Sequence, residues 1–255
     1  MTIIYGSILF LLGLVLGSFY NVVGIRIPQQ TFFSTTRSQC PSCKQTLKWF
    51  ELIPIVSYVI QNGTCRHCKV TISFLYPLVE GMTALGFFVS YLLVGFSLDL
   101  VIICSLISLF SIIVVTDLHY LLIPNRILLF FLPIFIVFRI IYPVDPWWLS
   151  IIGAVVGYGV IALIIFASQG GMGAGDMKLL SVLGILLGFP HILLCLFLAT
   201  LLGLLFSSFY LFIYRTKGKK MIPFGPAIVL GAIITFLWGD YLLSLYVDMF
   251  FFVNR

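Results

Sequence analysis

Long uninterrupted apolar stretches constrain this chain more than any other feature. Residues 100–116 and 147–167 carry no acidic or basic side chain, and 76–97 carries Glu80 alone. A helix needs about 20 mostly apolar residues to cross the ~30 Å hydrocarbon core of a bilayer. Eight stretches approach that description: 4–24, 76–97, 100–116, 127–142, 147–167, 177–190, 191–214 and 226–247. Composition agrees, with 62% hydrophobic and only 9% charged residues, against about 25% charged in soluble domains. The expected fold is an all-α polytopic membrane protein of about eight transmembrane helices. The stretches at 127–142 and 177–190 are short, so six or seven is the competing count.

The formal charge of +6 is then a question of topology before it concerns partners. Arg26, Arg37, Lys44, Lys48, Arg66 and Lys69 follow the first span. Arg126, Lys178, Arg215, Lys217, Lys219 and Lys220 fall in later loops on the same side if there are eight spans, leaving Arg139 and Arg255 opposite. By the positive-inside rule that basic side is the cytoplasm, with both termini outside. No basic residue precedes the first span, so it does not read as a cleaved signal peptide. No nucleic-acid partner is expected, and the sequence sets no oligomeric state.

Three parts follow: a first helix at 1–27, a polar segment at 28–74, and a seven-helix membrane domain at 75–255. The polar segment holds Cys40-Pro-Ser-Cys43 and Cys65-Arg-His-Cys68. Two CxxC knuckles can offer four thiolates in tetrahedral array, which suits Zn²⁺. A segment of under fifty residues also needs a staple of this kind. The alternative is four reduced, uncoordinated thiols. Cys104 and Cys195 lie in spans and read as small packed side chains.

Ionisable groups inside a span are costly and therefore functional candidates. Of the eight acidic residues, Asp99, Asp145, Asp240 and Asp248 fall in or near outer loops and Glu51 lies in the cysteine segment. Glu80, Asp117 and Asp176 remain, all at the cytoplasmic ends of spans. Two carboxylates from different helices that share a proton can perform aspartic-protease chemistry. Asp176 also closes the run Gly170-Gly-Met-Gly-Ala-Gly175. So many glycines make poor helix, and Gly171, Gly173 and Gly175 would let an extended substrate backbone approach. The plainer reading is that both aspartates are helix caps or solvated edge charges. Glu80 reads as an accessory group or a charge paired with Lys178 or Arg126. Lys178 either tunes Asp176 or snorkels to the interface. A transporter using the aspartates as ion or proton sites is the competing function, although no inverted repeat is visible.

Several ordered motifs resemble the type IV prepilin peptidases. Gly171-Met-Gly-Ala-Gly-Asp176-Met-Lys178 is similar to that family's GxGD motif, and Asp117 with Ile123-Pro124-Asn125 to its first catalytic segment. Gly17-Ser-Phe-Tyr-Asn21, the first knuckle from Arg37 to Cys43, Glu51-Leu-Ile-Pro54, Tyr76-Pro-Leu-Val-Glu80 and Pro223-Phe-Gly-Pro226 match further segments. The resemblance implies a bifunctional enzyme of the cell membrane. It would cleave the basic leader of prepilin or pseudopilin substrates, for pili, secretion or DNA uptake, at the cytoplasmic face. It would then methylate the new amino terminus from S-adenosylmethionine. Asp117 and Asp176 would be the catalytic pair, and Cys40, Cys43, Cys65 and Cys68 the metal ligands. Two positions depart from the family pattern. Ala174 replaces a common glycine, and Leu75 stands where arginine is frequent, removing a partner for Glu80.

Overall fold

The computed structural model describes residues 2–32, 37–168, 172–214 and 223–251. All eight apolar stretches are helical: α1 (Thr2–Arg26), α3 (Leu75–Val94), α4 (Leu98–Tyr120), α5 (Asn125–Ile141), α6 (Trp148–Ala167), α7 (Ala174–Leu187), α8 (His191–Tyr214) and α9 (Gly225–Phe251). A short α2 (Val56–Ile60) lies in the cysteine segment, after a 3₁₀ turn at Trp49–Leu52.

The number of spans is lower than the sequence suggests. Among the described residues six helices are long and apolar enough to cross a membrane, and α5 and α7 are not among them. The 14 residues of α7 extend about 21 Å at 1.5 Å per residue, short of the ~30 Å core. Gly188 ends this helix at φ +74°, a conformation that side-chain-bearing residues avoid. Read as hydropathy, Gly188-Phe189-Pro190 merges into the span; as backbone, it terminates one. The 17 residues of α5 reach about 26 Å.

The chain forms two compact units, Met1–Tyr120 and Leu121–Arg255. In the first, α1, α3 and α4 pack against one another. Small residues allow the approach, as expected where lipid supplies no hydrophobic drive between helices. A methyl group on Gly13 would lie 2.6 Å from Ala84 Cα, and one on Gly24 2.6 Å from Val115 Cγ1. α4 is buried along most of its length, from Leu106 to Asp117 without interruption. Buried hydroxyls join the helices: Tyr20 donates to Ser108 Oγ at 2.7 Å, and Thr83 and Ser111 hydroxyls meet at 2.7 Å.

In the second unit α7 is the hub, touching α5, α6, α8 and α9. Leu179, Leu180, Leu183 and Leu186 are fully buried, so tertiary packing sustains a helix too short to span. Gly153 of α6 meets α7 backbone to backbone, since a methyl there would fall 2.5 Å from Gly184 O.

Candidate functional site

The four cysteines converge as their spacing suggests. The Sγ atoms of Cys40, Cys43, Cys65 and Cys68 all lie within 4.8 Å of one another, and Cys40 and Cys68 are 3.8 Å apart. A Zn–S bond of ~2.3 Å in a tetrahedron requires S···S edges of about 3.8 Å, so the donor set fits a closed tetrahedral cation. None of the four is in a disulfide.

The two knuckles are built alike, an internal repeat that the side chains conceal. Gln39 bridges Thr46 as Thr64 bridges Thr71. Cys40 N–H donates to Gln45 O and Lys44 N–H returns to Cys40 O; Cys65 and Val70, then Lys69 and Cys65, repeat the pattern. Lys44 and Lys69 both sit at φ +58°. Each turn aims amides at its first thiol. The N–H of Cys43, with that of Ser42, holds Cys40 down at about 6, and those of Cys68 and His67 lower Cys65. The Val70 N–H also lowers Cys68, but burial and the neighbouring thiols outweigh it and push Cys68 up to about 11. A bound cation would supply the charge that four ionised thiols need.

Glu80 is buried on α3, and its partners differ from the lysine or arginine expected for it. Its Oε2 accepts the Ile55 N–H at 2.7 Å, and the Ser18 hydroxyl also bonds the carboxylate. Gly17 permits this, since a methyl there would lie 2.8 Å from Glu80 Cα. A backbone amide and a hydroxyl thus hold the Glu80 carboxylate. Nearby, Asn21 Nδ2 donates to Tyr76 O at 3.2 Å. Ser18 and Asn21 had no role assigned from sequence. Their polar character three residues apart in an apolar helix was the available signal.

Asp117 lies in the last turn of α4 and is buried at 6% exposure. Tyr120, at the end of that helix, receives a hydrogen bond from Gln29 Nε2 and donates to Ile25 O, tying α4 to the end of α1. Asp176 lies in the second unit, buried at 8% in the first turn of α7. It is not an N-cap, a position held by Gly173. Gly173 lies directly under the carboxylate, because a methyl there would stand 3.3 Å from Asp176 Oδ2. Gly175 packs on Ile123, and Lys178 Nζ donates to Asn125 Oδ1 at 3.1 Å. These contacts seat the start of α7 on the Ile123–Asn125 segment. Ala174 opens the helix without strain. Gly171 lies outside the described residues.

Together these features define a polytopic membrane protein with a four-thiol site in its polar segment and buried carboxylates at helix ends. The model for the bacterial peptidase A24 N-terminal domain matches residues 11–94, and that for the type IV leader peptidase family matches residues 104–208. A prepilin leader peptidase/N-methyltransferase of Bacillus subtilis (strain 168) is 42% identical over 95% of this chain and 98% of its own length. Proteins of the same name from Aeromonas salmonicida (strain A449), 32% identical over 93% and 92%, and Vibrio cholerae serotype O1, 30% identical over 92% and 98%, align similarly. The chain belongs to the type IV leader peptidase family. These relatives give no support to the transporter alternative, and no solved structure matches the chain.

Proposed function

We infer that this protein is an intramembrane aspartic endopeptidase that removes the leader from type IV prepilin-like proteins and N-methylates the new amino terminus. The observation that carries the activity is the near full-length alignment to relatives whose names state both reactions. We assign Asp117 and Asp176 as the catalytic pair. Both are buried at helix ends in a chain with only eight acidic residues.

In the assigned chemistry one carboxylate takes a proton from water as the oxygen attacks the scissile carbonyl. The other donates a proton to the carbonyl oxygen, and collapse of the intermediate passes a proton to the leaving amine. Asp176 stands at the positive end of the α7 dipole, while Asp117 stands at the negative end of α4. We therefore give Asp176 the water-activating role and Asp117 the proton-donating role. Gly173 is part of this assignment, because any side chain there crowds Oδ2 of Asp176. Lys178 is a positioning residue, acting through Asn125.

We assign Zn²⁺ to Cys40, Cys43, Cys65 and Cys68, where it would staple the polar segment; the spacing of the sulfurs supports it. S-Adenosylmethionine is the methyl donor that the resemblance implies. Glu80 is held by the Ile55 amide and the Ser18 hydroxyl. The distribution of lysine and arginine supports placing the cysteine segment in the cytoplasm. The activity is tested by incubating the purified protein with a prepilin-like substrate and S-adenosylmethionine and weighing the product. Loss of the leader plus one methyl group is expected; an intact substrate contradicts the reading.

A further inference from the structure

The polar segment carries an apolar face that its own fold leaves open. Trp49, Ile53, Val56, Val59, Ile60 and Phe74 are all exposed, with Trp49 at 78% and Ile60 at 69%. Isolated exposed apolar residues are ordinary, whereas a contiguous group marks an interaction surface. Here Val56, Val59 and Ile60 recur at i, i+3 and i+4 of α2 and so share one face. The 3₁₀ turn packs on α2, and Tyr58 of α2 meets Phe74 edge to face with centroids 6.4 Å apart.

Two observations identify what covers this face. The first is continuity. Phe74 immediately precedes α3, whose Leu78, Met82 and Leu85 are also exposed, so the apolar surface of the segment runs into that of a spanning helix. The second is charge. Residues 37–74 hold Arg37, Lys44, Lys48, Arg66 and Lys69 against Glu51 alone, five minus one, or +4. Lys48 and Arg66 both lie against the Phe50 ring, at 6.0 and 5.2 Å, which places cations beside the apolar face. Apolar side chains flanked by basic ones are the pattern of a surface lying in the interface of an anionic bilayer.

We propose that this face is a membrane-docking surface. Trp49, Val59, Ile60 and Phe74 enter the headgroup–acyl boundary, and the lysines and arginines engage anionic lipid phosphates. The segment is then held flat against the bilayer, with the four cysteines fixing its shape. This inference stands apart from the peptidase reading, because it uses neither aspartate.

The test uses the full chain in lipid nanodiscs containing phosphatidylglycerol, with the Trp49 signal isolated as the difference between the native protein and Trp49→Phe. Lipids brominated high on the acyl chain should quench that signal more strongly than lipids brominated near the chain end. Acrylamide should reach it poorly. Val59→Asp combined with Ile60→Asp should reverse both results while metal content stays unchanged, which separates undocking from unfolding. Nanodiscs of phosphatidylcholine alone should raise acrylamide access several-fold; no change there overturns the role given to charge. A Trp49 that acrylamide reaches freely and bromine does not quench overturns the docking. So does a Trp49 that becomes protected only when a prepilin-like peptide is added, because the face would then be a peptide site.

Discussion

Replacing Glu80 with alanine should release residues 53–60 from the α1–α3 pair. The carboxylate is 7% exposed and holds the Ile55 amide at 2.7 Å while also bonding Ser18. A hydrogen bond to a charged partner contributes about 1.5–3 kcal/mol, and leaving the half-buried Ile55 amide without its acceptor costs at most about 1–3 kcal/mol. The two figures describe one loss and are not additive, so about 2–3 kcal/mol is the local effect. At about 1.4 kcal/mol per factor of ten, hydrogen exchange across Ile55 should accelerate about 30- to 150-fold. Glu80→Gln keeps an acceptor oxygen for Ile55, so its effect should be nearer fivefold, or about 1 kcal/mol. The assay is exchange read by mass spectrometry on peptides spanning 53–60, with peptides from α4 as the internal control. Unchanged exchange in Glu80→Ala would show that the cysteine segment is held by other contacts.

Other perturbations test the remaining parts. Metal capture must release protons from the thiols, Cys68 above all, since its ordinary value is pushed up to about 11. Zinc affinity measured by competition with a chelator should therefore rise with pH and fall on acidification; a pH-independent affinity would argue against a thiolate site. Cys65→Ser should lose stoichiometric zinc while α-helical content, read by circular dichroism, stays close to native. Gly153→Leu should lower the melting temperature, because overpacking a backbone contact costs about 1–3 kcal/mol, whereas alanine at Gly159, which has open space, should not. Tyr20→Phe should cost only about 0.6–1 kcal/mol, the scale of a hydroxyl bond between membrane helices.

Much of the architecture was legible because lipid forces a simple code. All eight apolar stretches are helices, and the CxxC spacing brought the four thiols together. Helix lengths were less legible: hydropathy runs through Gly188, while its φ of +74° stops α7 at Leu187. The CxxC spacing pairs the two knuckles, but their common backbone pattern is not legible because it lies in bonds that Gln45 and Val70 serve equally well. The partner of Glu80 was hidden for the same reason. It is the amide of Ile55, and every residue but proline has an amide, so only the fold selects one. The sequence reads Gly173 as a glycine that lets a substrate approach; its contact with Asp176 Oδ2 is set only by the fold.

We assign the cut to two aspartates acting together, one on α4 and one opening α7. The most direct measurement is leader cleavage by Asp117→Asn and Asp176→Asn, each alone, in membranes where protein level and zinc content match the native protein. Each variant should leave the prepilin-like substrate uncut, because neither half of the acid–base pair works without the other. Cleavage at the native rate by either one would rule out the pairing of Asp117 with Asp176.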